Sequence, residues 1–254
     1  IYLWVMMTPQ MRGYVRSVGM VALIWRLILT SGTGAIFGFL VARDAYDTAI
    51  MAPLFILMSL SLGMAVFWVS TLTMCRWNGY LLSPELSGKL RRLSALFILG
   101  VLYLVALHHL TNLYMTHHQG IERFLLVDGG VYPWLFWLGF VLCGGIVPVW
   151  WFLDRRFSTP AWTVTAALMV IVGGLCHLYV TIIGGQAYPL RLVSGYRVDS
   201  GFYDGEITPY LPTLPEIALG IGGVSLALLM TMVAVRVLPF LPTVTGPLPG
   251  PNQN

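Results

Sequence analysis

Six long apolar stretches constrain the fold of this chain more than any other feature of its sequence. An α-helix needs about 20 mostly apolar residues to cross roughly 30 Å of hydrocarbon. Because every backbone polar group must be satisfied inside a bilayer, such stretches predict helices rather than open strands. We therefore expect an all-α, polytopic transmembrane helix bundle, a single integral membrane domain over 1–254. The spans are predicted at 18–40, 50–74, 93–115, 133–153, 161–183 and 215–238.

The composition argues against a water-soluble fold. Hydrophobic residues make up 57% of the chain and charged residues only 9%, whereas soluble domains carry roughly a quarter charged residues. The net charge of +4 does not indicate nucleic acid, since the basic residues lie in short loops and form no stripe interleaved with aromatic residues. The lipid bilayer is the expected partner, and residues 239–254, which include PLPGPNQN, are expected to form a disordered tail.

The charges of the loops predict the orientation in the membrane. Lys and Arg concentrate in cytoplasmic loops. Loops on the side of the N-terminal segment hold nine basic and two acidic residues, and loops on the opposite side hold four basic and eight acidic residues. We expect a multi-pass protein of a prokaryotic cytoplasmic (inner) membrane, with the N-terminal segment and the C-terminus cytoplasmic. The chain begins with Ile rather than Met, and we expect it to be N-terminally incomplete.

Polar side chains within the spans are the first candidates for a functional site, because ionisable groups in a membrane are costly and mark a site, a pathway or a structural pair. The third span carries LHHLTNLY and the fifth CHLYV, both near the side opposite the N-terminus. A quinone oxygen needs a proton and a hydrogen bond as electrons arrive, and His, Tyr or Asn can supply them. The candidate quinone-binding residues are His108, His109, Asn112, Tyr114, His177 and Tyr179.

Other interpretations of these residues stay open. The same side chains could form hydrogen bonds between helices, and the tyrosines could belong to an interfacial aromatic belt. Two histidines on facing helices could instead hold haem b, and an ion or small-solute transporter could line its path with polar groups. We expect no iron–sulfur cluster or metal site in this chain, since its three cysteines lack ligand spacing. We also expect no haem, because cytochromes b usually have more than one well-separated histidine pair and two of the three intramembrane histidines here are adjacent. His117, His118 and Glu122 weakly resemble a metal pattern but are expected to be solvated loop residues.

A second group of polar residues is a candidate for a proton path or for docking of a partner. Arg26 lies inside the first span, where it could also snorkel to the cytoplasmic surface. The others belong to the long outer segment after the fifth span or to the start of the sixth. Long loops without helical pattern are often functional, although this one could simply cap the bundle. The group consists of Arg26, Gln186, Asp204, Glu206 and Glu216.

Three stretches resemble the NrfD/PsrC family, the membrane subunits of polysulfide-reductase-like respiratory complexes. They are SGTGAIFGFLVARDAYDTAIMAPLFILMSLSLG at 31–63, HHLTNLYMTHHQGIERFLLVDGGVYPWLFWLGFVLCGGIVP at 108–148, and IIGGQAYPL with the later FYDGEITPYLPTLPEIALGIGG. Within the family they are most similar to the DsrP branch of sulfite-reduction-associated DsrMKJOP complexes, and the hydrogenase-associated HybB branch is a nearby relative.

The resemblance implies a membrane subunit that is not a complete enzyme alone. It would bind a quinone, menaquinone or ubiquinone, near the outer face and exchange electrons with a ferredoxin-like iron–sulfur subunit there. Other membrane and cytochrome subunits would complete an electron-transfer complex of sulfur metabolism. Family members have more spans, and quinone pockets in the polysulfide-reductase branch draw on first helices that we expect to precede the sequence given.

Overall fold

The computed structural model describes residues 5, 8–78, 82–189, 206–207, 210 and 212–237, and these residues contain helices and no strand. Six of the helices within those ranges are long and apolar enough to cross a membrane. The expected all-α fold with six spans is thereby confirmed. The chain divides into two units, Ile1–Thr208 and Pro209–Asn254.

The first unit holds five of these helices and a short helix that connects two of them. A 3₁₀ turn at Pro9–Tyr14 leads into the first helix. The fourth and fifth long helices each contain a stretch of π-helix, at Leu135–Ile146 and Val180–Gly184. In chain order the helices are α1 (Val15–Gly38), α2 (Met51–Asn78), α3 (Pro84–Tyr114), the short α4 (Gln119–Arg123), α5 (Val131–Leu153) and α6 (Pro160–Ala187).

Helix α3 begins at Pro84, well before the apolar window at 93–115. Proline is favoured at the first turn, where its missing N–H is not needed. A salt bridge of 2.6 Å between Glu85 and Lys89, four residues apart, supports that turn. An apolar window stops at charged residues, but a helix continues through them where it leaves the hydrocarbon.

Helix α3 buries one face in the bundle and exposes apolar side chains on the other. In α3, Ala95, Ile98 and Val105 are buried in the bundle, whereas Leu96 and Leu110 on the other face are exposed. Water would disfavour so many exposed apolar side chains, and lipid tails would not. The exposed apolar faces support the membrane assignment.

Helices α5 and α6 approach each other closely through glycine. A Cβ on Gly144 would lie 2.6 Å from the Cα of Gly173, so neither position has room for a side chain. Small residues at helix crossings are typical of membrane bundles, because they let the backbones come together. One helical turn from this contact, the rings of Phe140 and His177 stack with centroids 4.2 Å apart.

Hydrogen bonds join the loop between α1 and α2 to the end of α6. Arg43 Nη1 donates to the carbonyl oxygens of Gln186 and Tyr188, at 2.9 Å each. The buried Tyr46 hydroxyl donates to the carbonyl of Ile182 at 2.7 Å, within the π-helical stretch. Helix α3 ends and α4 lies at this same end of the first unit. We call it the cluster end, because several polar side chains gather there.

The second unit contains the sixth long helix, α7 (Leu214–Val237). Glu216 accepts hydrogen bonds from the backbone N–H of Thr213 and from the hydroxyl of Tyr210, both at 2.7 Å. A Thr before the first turn with Glu three residues later is a capping-box arrangement, which stabilises the start of a helix. The predicted tail at 239–254 and the candidate Asp204 lie outside the described residues.

Candidate functional site

The last turns of α3 bring polar side chains to the cluster end. His108 and Asn112 are four residues apart and therefore share a helix face, and that face is buried. His109 lies beside them, with 12% of its side chain exposed. From α4, the side chains of His118 and Glu122 complete the group, each only 1% exposed. We call His108, His109, Asn112, His118 and Glu122 the polar cluster.

Asn112 is the centre of the hydrogen bonds in the polar cluster. Its Nδ2 donates to Glu122 Oε1 at 2.8 Å and lies 3.3 Å from His108 Nε2. Its Oδ1 accepts from His118 Nδ1 at 3.3 Å. An amide nitrogen only donates, so His108 Nε2 is the acceptor and the His108 proton resides on Nδ1.

Glu122 and His109 form a closely coupled pair. His109 Nδ1 lies 2.6 Å from Glu122 Oε2, a short distance typical of a charge-assisted hydrogen bond. The side chain of Glu122 makes no salt bridge to Lys or Arg in the part of the chain that the structure describes. A buried carboxylate is costly without compensation, and here His109 and Asn112 provide it. The carboxylate and the imidazole therefore satisfy each other inside the bundle.

Two histidines present buried ring nitrogens without hydrogen-bond partners among the described residues. These are Nδ1 of His108 and both ring nitrogens of His177. Such groups are rare in folded proteins because each costs about 1–3 kcal/mol when unsatisfied. The hydrogen bonding of these two histidines is therefore incomplete inside the bundle.

Aromatic rings connect His177 to the polar cluster. His109 packs edge-on against Phe136 at 4.9 Å, Phe136 lies 5.9 Å from Phe140, and Phe140 stacks on His177. A cavity of about 20 Å³, large enough for a single water molecule, adjoins Phe140 and Gly174, one turn before His177. The histidines of α3 and α6 therefore border one aromatic region in the bundle.

The structure corrects one expectation about the loop after α3. His118 and Glu122 are buried, not solvated, because their four-residue spacing puts both on the face of α4 that packs against α3. His117, on the other side, is exposed as expected. Sequence reasoning thus missed two members of the polar cluster, although their helical spacing, the same as that of His108 and Asn112, was a usable signal.

The other candidate residues lie outside the polar cluster. Tyr114 is 89% exposed, and Tyr179 is half-buried and stacks on Tyr132 at 6.1 Å. Arg26, Gln186 and Glu206 are exposed. The carbonyl of Gln186 is occupied by Arg43, and the carboxylate of Glu216 by the start of α7.

A comparison with known protein families shows which family this chain belongs to. The family described as "Polysulphide reductase, NrfD" matches residues 2–189, which include every residue of the polar cluster and His177. The chain belongs to the NrfD family. This membership confirms the resemblance seen in the sequence.

Two relatives of this NrfD protein come from archaea. One, the "Hdr-like menaquinol oxidoreductase integral membrane subunit" of Archaeoglobus fulgidus, is 28% identical over 92% of this chain and 60% of its own length. The other, a "Putative dimethyl sulfoxide reductase membrane subunit" of Halobacterium salinarum, is 29% identical over 83% of this chain and 50% of its own length. The chain therefore spans only about half to three fifths of these proteins. No solved structure matches the chain significantly.

Proposed function

We propose that this chain is a quinone-reactive subunit of a membrane oxidoreductase complex and that the polar cluster with His177 forms its quinone site. NrfD membership and the menaquinol oxidoreductase name of the A. fulgidus relative support this function. Two observations together carry the site. Buried histidine nitrogens lack hydrogen-bond partners among the described residues, and His109 and Glu122 form a hydrogen-bonded pair in the same bundle. Together they offer donors for quinone oxygens and a place for the proton.

The chemistry of a quinol requires both elements. Its oxidation releases electrons and protons together, so a base must take each proton as the electrons leave. The His108 Nδ1–H lies near the backbone of Ala45 without a well-formed hydrogen bond, so it could turn to donate to a quinone oxygen, and His177 can donate from one ring nitrogen and accept at the other. The His109–Glu122 pair would then take up a proton from the quinol or return it to the quinone. The rings of Phe136 and Phe140 provide an apolar wall for the flat headgroup.

The finer details follow from the resemblance and the loop charges. The polar cluster would lie near the extracytoplasmic face, and a ferredoxin-like iron–sulfur subunit would dock there to exchange electrons. Menaquinone is the favoured quinone, because the A. fulgidus relative carries that substrate in its name. The complex would include other membrane and cytochrome subunits, belong to sulfur metabolism and reside in a prokaryotic inner membrane.

Purification of the intact complex in detergent tests the proposal. Its co-purifying subunits are identified, its quinone is extracted and quantified, and its visible spectrum is recorded. The proposal predicts bound quinone, an iron–sulfur partner and no haem assignable to this chain. Haem retained by this subunit would favour a cytochrome with His108 and His177 as ligands, and absence of both quinone and partner would favour a transporter.

Three single substitutions test whether the histidines take part in quinol turnover: His108→Gln, His109→Gln and His177→Gln. Each should slow quinol turnover while leaving assembly intact. Glu85→Gln is the control, because Glu85 is 78% exposed at the other end of α3. Full turnover in all three variants would remove the histidines from the mechanism.

A further inference from the structure

Three residues of the polar cluster have the geometry of a metal site. His108, His109 and Glu122 each offer one ligand atom, and these atoms all lie within 4.8 Å of one another. Two of the residues are buried and His109 is nearly so. Surface groups of this kind are often coincidental, but here the donors converge inside the bundle.

The donor set suits zinc. Two imidazoles and one carboxylate are ligands that Zn²⁺ binds at about 2.0–2.2 Å, with water in the fourth position of a tetrahedron. Tetrahedral ligand atoms at such distances stand about 3.4 Å apart. The 2.6 Å pair of His109 and Glu122 must therefore open by about 0.8 Å to hold the ion.

The surroundings of the three residues resemble the outer shell of a metal site. Asn112 already holds Glu122 through Oε1, and His118 holds Asn112. Partners of this kind fix the orientation of ligands. The buried Glu122 carboxylate has no Lys or Arg bonded to it within the described ranges, so no basic side chain there would compete with a divalent cation for it.

We propose that Zn²⁺ binds at His108, His109 and Glu122 and thereby inhibits the subunit. Zinc needs the lone pair on His109 that now carries a proton, so binding displaces that proton from the His109–Glu122 pair to water. The pair can then no longer exchange a proton with a quinol. Binding of zinc is independent of the proposed function, whereas inhibition rests on it.

Binding is tested first, with ZnCl₂ alone and the quinone-depleted complex. Isothermal titration should find one site that is at least 10-fold weaker in Glu122→Gln and in His109→Gln and unchanged in Glu85→Gln, which lies at the other end of α3. X-ray absorption at the zinc edge of the wild-type complex should show nitrogen and oxygen ligands and no sulfur, a result that needs no variant to fold. Equal zinc affinity in wild type and both cluster variants, or sulfur ligation, would overturn the site.

Inhibition is tested by quinol turnover against zinc concentration. Zinc should abolish turnover at the concentration that fills the site, and a chelator should restore it. Zinc bound at the cluster with turnover unchanged would refute the inhibitory role. A complex that binds zinc but neither binds nor turns over quinol would instead overturn the proposed function and leave the metal site standing.

Discussion

Replacement of Glu122 by Gln removes the negative charge of the polar cluster while preserving the size of the side chain. Glu122 accepts one hydrogen bond from His109 at 2.6 Å and another from Asn112 at 2.8 Å. Glutamine keeps one acceptor oxygen and places an NH₂ group where the other stood. One of the two donors then faces another donor, and the pair can no longer hold its proton.

The magnitude follows from the two bonds. A hydrogen bond to a charged group contributes about 1.5–3 kcal/mol, and about 1.4 kcal/mol corresponds to a tenfold change in rate. Loss of the base itself typically lowers a rate 10²–10⁴-fold. We therefore expect Glu122→Gln to lower quinol turnover by about 10²-fold or more, with a fall in stability of about 1.5–3 kcal/mol.

The assay is single-turnover oxidation of a menaquinol analogue by the intact complex, and thermal unfolding is followed in parallel. The matched control is Glu85→Gln, because Glu85 is 78% exposed at the other end of α3 and should leave both quantities unchanged. A cycle with His109→Gln should show strong coupling, since either change disables the same pair. Wild-type turnover in Glu122→Gln, or strict additivity with His109→Gln, would refute the role of the pair.

Further predictions concern the elements that hold the site in place. Burial raises the pKa of Tyr46 to about 12, so its hydroxyl keeps its proton where an unfolded tyrosine ionises near pH 10. Stability should be complete below pH 10 and fall as the pH rises toward 12, by at most about 2.7 kcal/mol. Melting temperatures of Tyr46→Phe, which lacks this proton, should fall less over that range, and identical pH profiles would contradict the assignment. Gly173→Leu should separate α5 from α6, because even a Cβ at this position would overlap the Cα of Gly144, and overpacking costs about 1–3 kcal/mol. A lower melting temperature and slower quinol turnover are expected, and unchanged values would show that the helices do not meet at this contact.

Hydropathy was sufficient to predict the fold because the bilayer allows few alternatives. Long apolar runs in lipid must be helices, and all six windows correspond to helices of the described residues. The ends of the helices were harder to predict from hydropathy, because α3 extends through Arg91 and Lys89 back to Pro84. Hydropathy follows the boundary of the hydrocarbon, whereas hydrogen bonds and capping set the boundary of a helix.

The site was only partly predictable. The polar residues of α3 were visible as interruptions of an apolar run, and the structure brings His108, His109 and Asn112 together. Glu122 and His118 lie in a short polar connection, where a sequence does not distinguish a buried polar residue from a solvated one. Their burial depends on packing of α4 against α3, a tertiary contact without an apolar signature. Tyr114 shows the converse, because it follows the cluster in sequence but points outward.

Photoaffinity labelling tests the central claim, that the polar cluster and His177 bind a quinone. The intact complex is illuminated with an azido-menaquinone analogue, and the labelled residues are mapped by mass spectrometry with and without excess menaquinone. The account predicts labels on α3, α4 or α6 beside His108, Glu122 or His177, and their loss when menaquinone competes. Labels confined to other helices, or labelling that menaquinone does not reduce, would contradict it.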